Sequence, residues 1–445
     1  MENIATKKPT TPQINFKANF LLLIAGRLAS NLGTAIFNFA LSLYVLDLTK
    51  SPTAFSLVLS LAILPTVFVN ILGAVYVDTH NKKKIIVISD ILCGIIILFF
   101  MLLFHENSTS MAVFIGCVIV LNTCQAFFGL ALNASIPNLV NTDNVARTNS
   151  VFQAVRAIVN ILGPILGAIS YKAIGMEMIF LLNAVSFIIS GIAEMFLVFI
   201  SSGESRETEE PRGYLQGVAD VFRYLNGEKI LKFLLIVAVI LNALLNPLVL
   251  MVVQYVNYNI IKVSGLQLSF IESAWAIGTI AGAIIITMQR TTNPILKKFF
   301  ILLQAEAVLI ILWFFPRLSL FQGASKWTIA LIYAGLLLAY GMLNTIQNVP
   351  LLSHFQLRVP EHLRGRVFGV LFTALDISTP IGMWIFAFIL QRVDWVFVPV
   401  VSGIGIFILC MYLSRNKYFK EFTAGLDKQD EEAEAAAAAA ATVQD

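Results

Sequence analysis

Ionisable side chains sit inside long apolar runs, among them Arg27, Arg156, Glu194, Glu272, Glu306 and Asp376. A charge at the centre of a hydrocarbon-spanning helix costs about 2.5–3.5 kcal/mol on insertion scales, so each needs a physical account. A carboxyl there can take up and release a proton. Desolvation raises its pKa, a nearby arginine lowers it, and a change of surroundings switches it. An ion pair that merely ties two helices together is the bland alternative. Arg27 falls about ten residues into its run, Asp376 about eleven, Arg156 about eight and Glu272 about six, placing the first two near the middle of a bilayer.

Other chemistries find no constellation. The four histidines, His80, His105, His354 and His362, lie at the ends of apolar runs or between them. No glycine-rich phosphate loop with its Lys-Ser/Thr occurs, so no nucleotide machinery is expected, and an ion gradient must supply energy. Cys93, Cys117, Cys124 and Cys410 all fall within apolar runs without metal-ligand spacing, so they read as small packing residues. No cofactor, no metal and no enzymatic activity are expected. The net charge of +4 comes from basic clusters between apolar runs, which speaks against nucleic acid as a partner.

The elements that hold these groups follow from composition. Of the 445 residues, 58% are hydrophobic and only 13% charged; a soluble domain carries about 25% charged residues. Lipid is therefore the solvent for most of the chain. A transmembrane barrel needs alternating segments of about ten residues, and the runs here are twice as long without alternation. The expected fold is all-α integral membrane, with twelve transmembrane helices in two pseudo-symmetric six-helix bundles. The spans are read at 18–47, 53–77, 85–104, 111–139, 148–173, 177–200, 231–261, 266–289, 295–315, 327–354, 365–390 and 395–414. The polar N-terminal segment has no apolar h-region, so the first span is expected to act as its own insertion signal.

The longest polar stretch between spans divides the chain. The domains read as an N-terminal segment 1–17, a first bundle 18–200, a linker 201–230, a second bundle 231–414 and a tail 415–445. With the N-terminus cytoplasmic, 22 of the 30 Lys and Arg residues fall in cytoplasmic segments, 6 outside and 2 within spans, so both termini are expected in the cytoplasm. The halves echo each other. Phe20-Leu21-Leu22 recurs as Phe233-Leu234-Leu235 and Ser51 as Ser264, all at one offset; Val151-Phe152 recurs as Val367-Phe368 and Pro164 as Pro380 at another. Such constant offsets fit parallel repeats. The acidic, alanine-rich end of the tail reads as either a native helical extension or an appended remnant.

Four passages resemble the major facilitator superfamily, and within it the bacterial macrolide-efflux and siderophore-export branch. They are Gly26-Arg27-Leu28-Ala29-Ser30 with Asp47-Leu48-Thr49-Lys50-Ser51-Pro52; Gly73 to Lys84 with Ser89-Asp90; Ala131 to Pro137 through Asn149 and Gly163-Pro164-x-x-Gly167; and Val359 to Gly369 with Pro380-Ile381-Gly382. The second departs from the signature loop between spans two and three: Ala74, Thr79 and Asn81 stand where it carries glycine, arginine and glycine. The resemblance implies a major facilitator fold in a bacterial inner membrane. It also implies a monomer exporting a small amphiphilic substrate such as a macrolide, driven by protons. Export of a siderophore or other metabolite, a lipid-handling protein and a non-transporting receptor are the alternatives.

It also implies roles. Spans one, four, seven and ten would line a central chamber, with two, five, eight and eleven contributing. Asp376 and Glu272 become the proton-coupling candidates, with Arg27 and Arg156 as charge partners; Glu194 and Glu306, on peripheral spans, rank lower. Asp78 with Lys82 and Lys83 would close the cytoplasmic side. Gly163, Pro164, Gly167 and Pro380 would pack the seam between halves. The substrate chamber would draw on Asn31, Phe37, Asn38, Asn122, Gln125, Asn242, Gln254, Tyr255, Tyr340, Asn344 and Gln347. Amides and aromatics there suit an adaptable site, although each amide could equally satisfy a neighbouring helix.

Overall fold

A computed structural model describes residues 16–106, 110–139, 142–199, 214–289 and 291–442. The N-terminal segment through residue 15, the linker before Tyr214 and the side chain of Asp78 lie outside the described residues. Helices follow wherever the apolar runs predict them: α1 (Phe16–Thr49), α2 (Pro52–Thr79), α3 (Lys82–Glu106), α4 (Met111–Leu139) and α5 (Thr142–Met195). After the linker helix α6 (Tyr214–Gly227), α7 (Lys229–Pro247) continues through π-helical turns and the short α8 (Val253–Tyr255) to Ile261. Then come α9 (Gly265–Thr287), α10 (Asn293–Lys297), α11 (Phe299–Leu312), α12 (Lys326–Arg358), α13 (Glu361–Leu390), α14 (Phe397–Ser414) and α15 (Lys417–Thr442).

Among the described residues, eleven helices are long and apolar enough to cross a membrane. One of them, Arg147–Met195, has 49 residues. At about 1.5 Å per residue it would run more than twice the roughly 30 Å of a hydrocarbon core. Gly175 breaks it, with φ 75° and ψ 173°. An L side chain rarely adopts that backbone, and a Cβ there would meet nothing, so the conformation rather than crowding calls for glycine. The helix is two crossings joined at Gly175, which brings the count to twelve, as the sequence predicts.

The repeat is visible in the caps. Ser51 accepts the Ala54 amide at the start of α2, and Ser264 accepts the Gln267 amide at the start of α9. These are repeat-related serines. In the first bundle α1 and α3 pack on α5, and α4 on α2 and α3; in the second α12 packs on α9, α14 on α11 and α13 on α7. The bundles meet along α2–α13 and α5–α9, two contacts that the pseudo-two-fold exchanges. We call the end carrying α6 and α15 basal, and the opposite end distal.

The tail docks. Phe419, Phe422 and Leu426 of α15 are buried, one helical face at i, i+3 and i+7. Phe419 meets Phe300 edge-on with centroids 4.6 Å apart. Lys297 Nζ reaches Asp427 at 2.6 Å and Asp430 at 2.7 Å, and Asn293 donates to Asp430 at 2.6 Å. These bonds hold the Asp430 carboxyl below its usual range, Lys297 first and Asn293 second. They also raise the Lys297 ammonium, through Asp427 and then Asp430. A depressed acid stabilises docking above its unfolded pKa and loses that as pH falls. A raised base stabilises docking below its unfolded pKa and loses that as pH rises. Protection of 417–430 against hydrogen exchange, taken relative to the unstructured-peptide rate at each pH, should therefore stay high from about pH 4 to pH 10 and fall outside that window. In Asp430→Asn protection should be lower across that window; equal protection at neutral pH would refute the docking contact.

Candidate functional site

Between the bundles lie two adjoining cavities of about 310 and 230 Å3. Both are lined by Asn38, Ser42 and Leu59 of the first bundle and by Leu250 and Gln254 of the second. The larger adds Asn160, Pro164, Glu272 and Trp275; the smaller adds Asn122 and Met383. Three buried polar atoms there have no protein partner: Gln254 Oε1, Glu272 Oε1 and Trp275 Nε1. Buried polar groups are overwhelmingly satisfied, so three orphans around one cavity mark a place for water or ligand. The Gln254 amide faces the Glu272 carboxyl, and among the described residues no cation stands beside it.

A third cavity, of about 270 Å3, lies within the second bundle and extends toward the basal end through Phe299, Leu352 and Phe355. Asn242, Asn246, Asn344, Gln347 and Asn348 line it. Asn242 also ties α7 to α13: its Nδ2 faces the Leu375 carbonyl at 2.9 Å, Ser378 Oγ at 2.9 Å and Thr379 Oγ1 at 3.0 Å, while Asn246 donates to its Oδ1 at 2.6 Å.

The chamber residues read from the sequence thus divide. Asn38, Asn122, Asn242, Gln254, Asn344 and Gln347 line cavities. Asn122 donates to its own helix at the Val118 carbonyl, and Gln125 to Thr34. Asn31 is half-buried on α1. Phe37 is 0% exposed and packs edge-on against Phe180, inside the first bundle. Tyr340 is 2% exposed and faces Trp313. Tyr255 lies in the distal seam, donating to the Lys50 carbonyl.

The charges arrange differently from the expected pairing of Asp376 with an arginine. Arg27 lies over the Phe128 ring at 5.0 Å. Its electrostatic neighbours are Asp90, Arg156 and Glu194. Arg156 itself is exposed on α5, and Asp376 is half-buried on α13 with neither arginine beside it. The acids beside Arg27 are Asp90, 1% exposed, and Glu194, which accepts from Ser190 at 3.3 Å. Glu306 is 0% exposed on α11, beside Gln347 and Asn344, with both oxygens unpaired. Counting every acid within a span would have found these groups; ranking spans six and nine as peripheral set two of them aside, and Asp90 was read only as part of a motif.

The packing motifs also resolve. A Cβ on Gly163 would lie 2.5 Å from the Ala35 side chain, and one on Gly167 3.0 Å from the Ile36 carbonyl. Both glycines therefore let α5 approach α1 within the first bundle rather than across the seam. Pro164 lines the central cavity, and Pro380 is buried next to Ser378 and Thr379, which hold Asn242. Lys83 donates to the Leu197 carbonyl at 2.8 Å, and Lys82 is half-buried.

Among the described residues, several hydrogen bonds join the bundles toward the distal end. Asp47 Oδ2 accepts from Tyr171 of its own bundle at 2.8 Å and from Tyr258 of the other at 3.0 Å. Asn259 donates to the Leu46 carbonyl at 2.9 Å and Trp384 to Ser60 at 2.8 Å, with Ser273 reaching the Ile161 carbonyl at 2.8 Å nearer the middle. This closes the distal side of the cavities.

A hydrogen bond to a charged group contributes about 1.5–3 kcal/mol. At this exposed site we take the low end, about tenfold in a two-state equilibrium. In Tyr258→Phe, a cysteine placed at Gln254 should react about tenfold faster with an impermeant maleimide added from the distal side. An unchanged rate would show that Asp47 is no latch.

The Major Facilitator Superfamily profile matches residues 23–383. The chain is 24% identical to the multidrug efflux pump Tap of Mycobacterium tuberculosis over 372 residues, 82% of this chain and 85% of that protein. It is 24% identical to macrolide efflux protein A of Streptococcus pyogenes over 389 residues, 85% and 91% of the two chains. An uncharacterized transporter of Bacillus subtilis, YkuC, is 29% identical over 198 residues, 44% of each chain. Among solved structures, the nucleoside transporter NupG superposes with a TM-score of 0.69 at 14% identity, over 91% of this chain and all of that one. The inward-open xylose transporter XylE from E. coli gives 0.62 at 12% identity, over 92% and 99%. With twelve crossings in two repeated bundles and the family profile over most of its length, the chain belongs to the Major Facilitator Superfamily, as a multi-pass membrane transporter and not an enzyme.

Proposed function

We propose that the protein is a proton-coupled exporter of amphiphilic drugs such as macrolides, working by alternating access as a monomer. The bundles 18–200 and 231–414 are the moving bodies, joined by the linker 201–230. Both termini face the cytoplasm of a bacterial cell, as the Lys and Arg distribution implies. The basal end is then the cytoplasmic one, and closure at Asp47 leaves the cavities reachable from inside.

The observation that carries this reading is the set of unpaired atoms on Gln254, Glu272 and Trp275 in the cavity shared by both bundles. An amide, a carboxyl and an indole around an apolar wall fit a ligand with a few polar groups on a large apolar frame. The two relatives whose names state drug or macrolide efflux support the substrate class.

Glu272 is the coupling carboxyl in this scheme, with Asp376 second. Protonated, Glu272 is neutral and tolerates the closed cavity; ionised, it favours a state that admits water. Substrate and proton then compete for the same amide-lined space. Asp78, Lys82 and Lys83 close the basal side in the opposite state, and Pro164 and Pro380 bend the helices flanking the seam.

Proteoliposomes would test this with a macrolide, a siderophore and a lysolipid, each with and without an imposed pH gradient. The wild-type protein should move the macrolide and respond to the gradient. Glu272→Gln should cut gradient-driven flux at least about tenfold while keeping substrate exchange, and Asp376→Asn should cut it less. Full gradient-driven flux in both variants would exclude these carboxyls. Flux of the siderophore or lysolipid alone would replace the substrate class.

A further inference from the structure

The distal end of the seam opens into a cavity of about 1150 Å3, larger than those at the centre. Lys50 and Lys172 of the first bundle and Lys262 of the second line it. All three are exposed, and among the described residues none forms an ion pair. Lys50 and Lys262 end the repeat-related spans one and seven in left-handed backbone, φ 49° and 61°. Asp47 is the single carboxylate of the wall, and its Oδ2 already accepts the Tyr171 and Tyr258 hydroxyls. The wall is left with excess positive charge that nothing among the described residues neutralises.

Two further features narrow the ligand. Ser264 and Gly265, at the N-terminus of the 23-residue α9, open on the same cavity, where the helix field favours an anion. Ile169, Leu266 and Trp327 also line it, and all three are exposed apolar side chains near the ends of membrane-spanning helices. A tryptophan there suits the boundary between headgroups and acyl chains. A small free anion would meet the lysines but gain nothing from that apolar lip.

We propose that this cavity binds the phosphate headgroup of an anionic phospholipid, with the acyl chains leaving over Ile169, Leu266 and Trp327. The lysines come from both bundles, so the headgroup bridges the seam only while the distal ends are together. Bound lipid therefore favours the distally closed state. This inference is independent of the transported substrate.

The test is native mass spectrometry of the purified full-length protein with phosphatidylglycerol, phosphatidylcholine and inorganic phosphate. The wild-type protein should retain phosphatidylglycerol at least about tenfold better than phosphatidylcholine. The preference should vanish in Lys50→Gln/Lys172→Gln/Lys262→Gln and persist when the same three positions become arginine, which keeps the charge and binds phosphate. Equal retention of the two lipids by the wild-type protein would overturn the proposal whether or not the variants fold. An undiminished preference in the glutamine variant would overturn it too. Displacement by an equal concentration of inorganic phosphate would make this a free-anion site and overturn the lipid assignment.

Discussion

A helix in hydrocarbon satisfies its own backbone, so the polar side chains left over decide where helices join and where water can enter. Here they sort into three fates. Some close on neighbours, as Asn242 does with Leu375, Ser378, Thr379 and Asn246. Some close the seam, as Asp47 does with two tyrosines. Others stay unpaired, and three of these, on Gln254, Glu272 and Trp275, gather next to one cavity. Where unpaired groups gather beside a cavity, water or a ligand can satisfy them. The whole functional reading grows from that contrast between satisfied and unsatisfied groups.

The contrast is also directional. Among the described residues, the hydrogen bonds named between the bundles lie from the middle outward to the distal end, while the amide-lined cavity of the second bundle runs toward the basal end. Two rigid bundles with one closed end are half of a transport cycle. Rigidity has visible sources: α9 and α12 cross so closely that a Cβ on Gly278 would meet the Leu338 carbonyl, and one on Gly341 the Trp275 carbonyl. Such contacts let each bundle move as a body, leaving the hydrogen bonds of the seam as the part that can part and re-form.

The architecture was legible because lipid writes it in a single variable. Runs of about twenty apolar residues give crossings, and even the merged helix 142–195 breaks at Gly175, within the gap read between spans five and six. The polar residues were legible as a set and not as individuals. Asn38 and Gln254 reached the cavity, whereas Phe37 and Tyr340 turned into the bundles. On a helix a turn of about 100° separates neighbours, and apolar runs on all faces leave no stripe from which to read direction. The Arg27 pairing shows the same limit. Span membership suggested Asp376, but rotation of α1 brings Arg27 to Asp90 and Glu194. The docked tail was illegible for another reason: Phe419, Phe422 and Leu426 are too few to stand out beside runs of twenty, and Lys297, their anchor, lies more than a hundred residues earlier.

The account stands on two bodies that exchange a closed distal end for a closed basal one. Spin labels on exposed sites would measure this directly: Glu177 and Gln322 at the distal ends of the two bundles, and Lys84 and Leu357 at their basal ends. Pulsed electron–electron distances in proteoliposomes, taken at acidic and alkaline pH with and without macrolide, should show the distal pair lengthening as the basal pair shortens. Two pairs that stay fixed, or that move in the same sense, would contradict it.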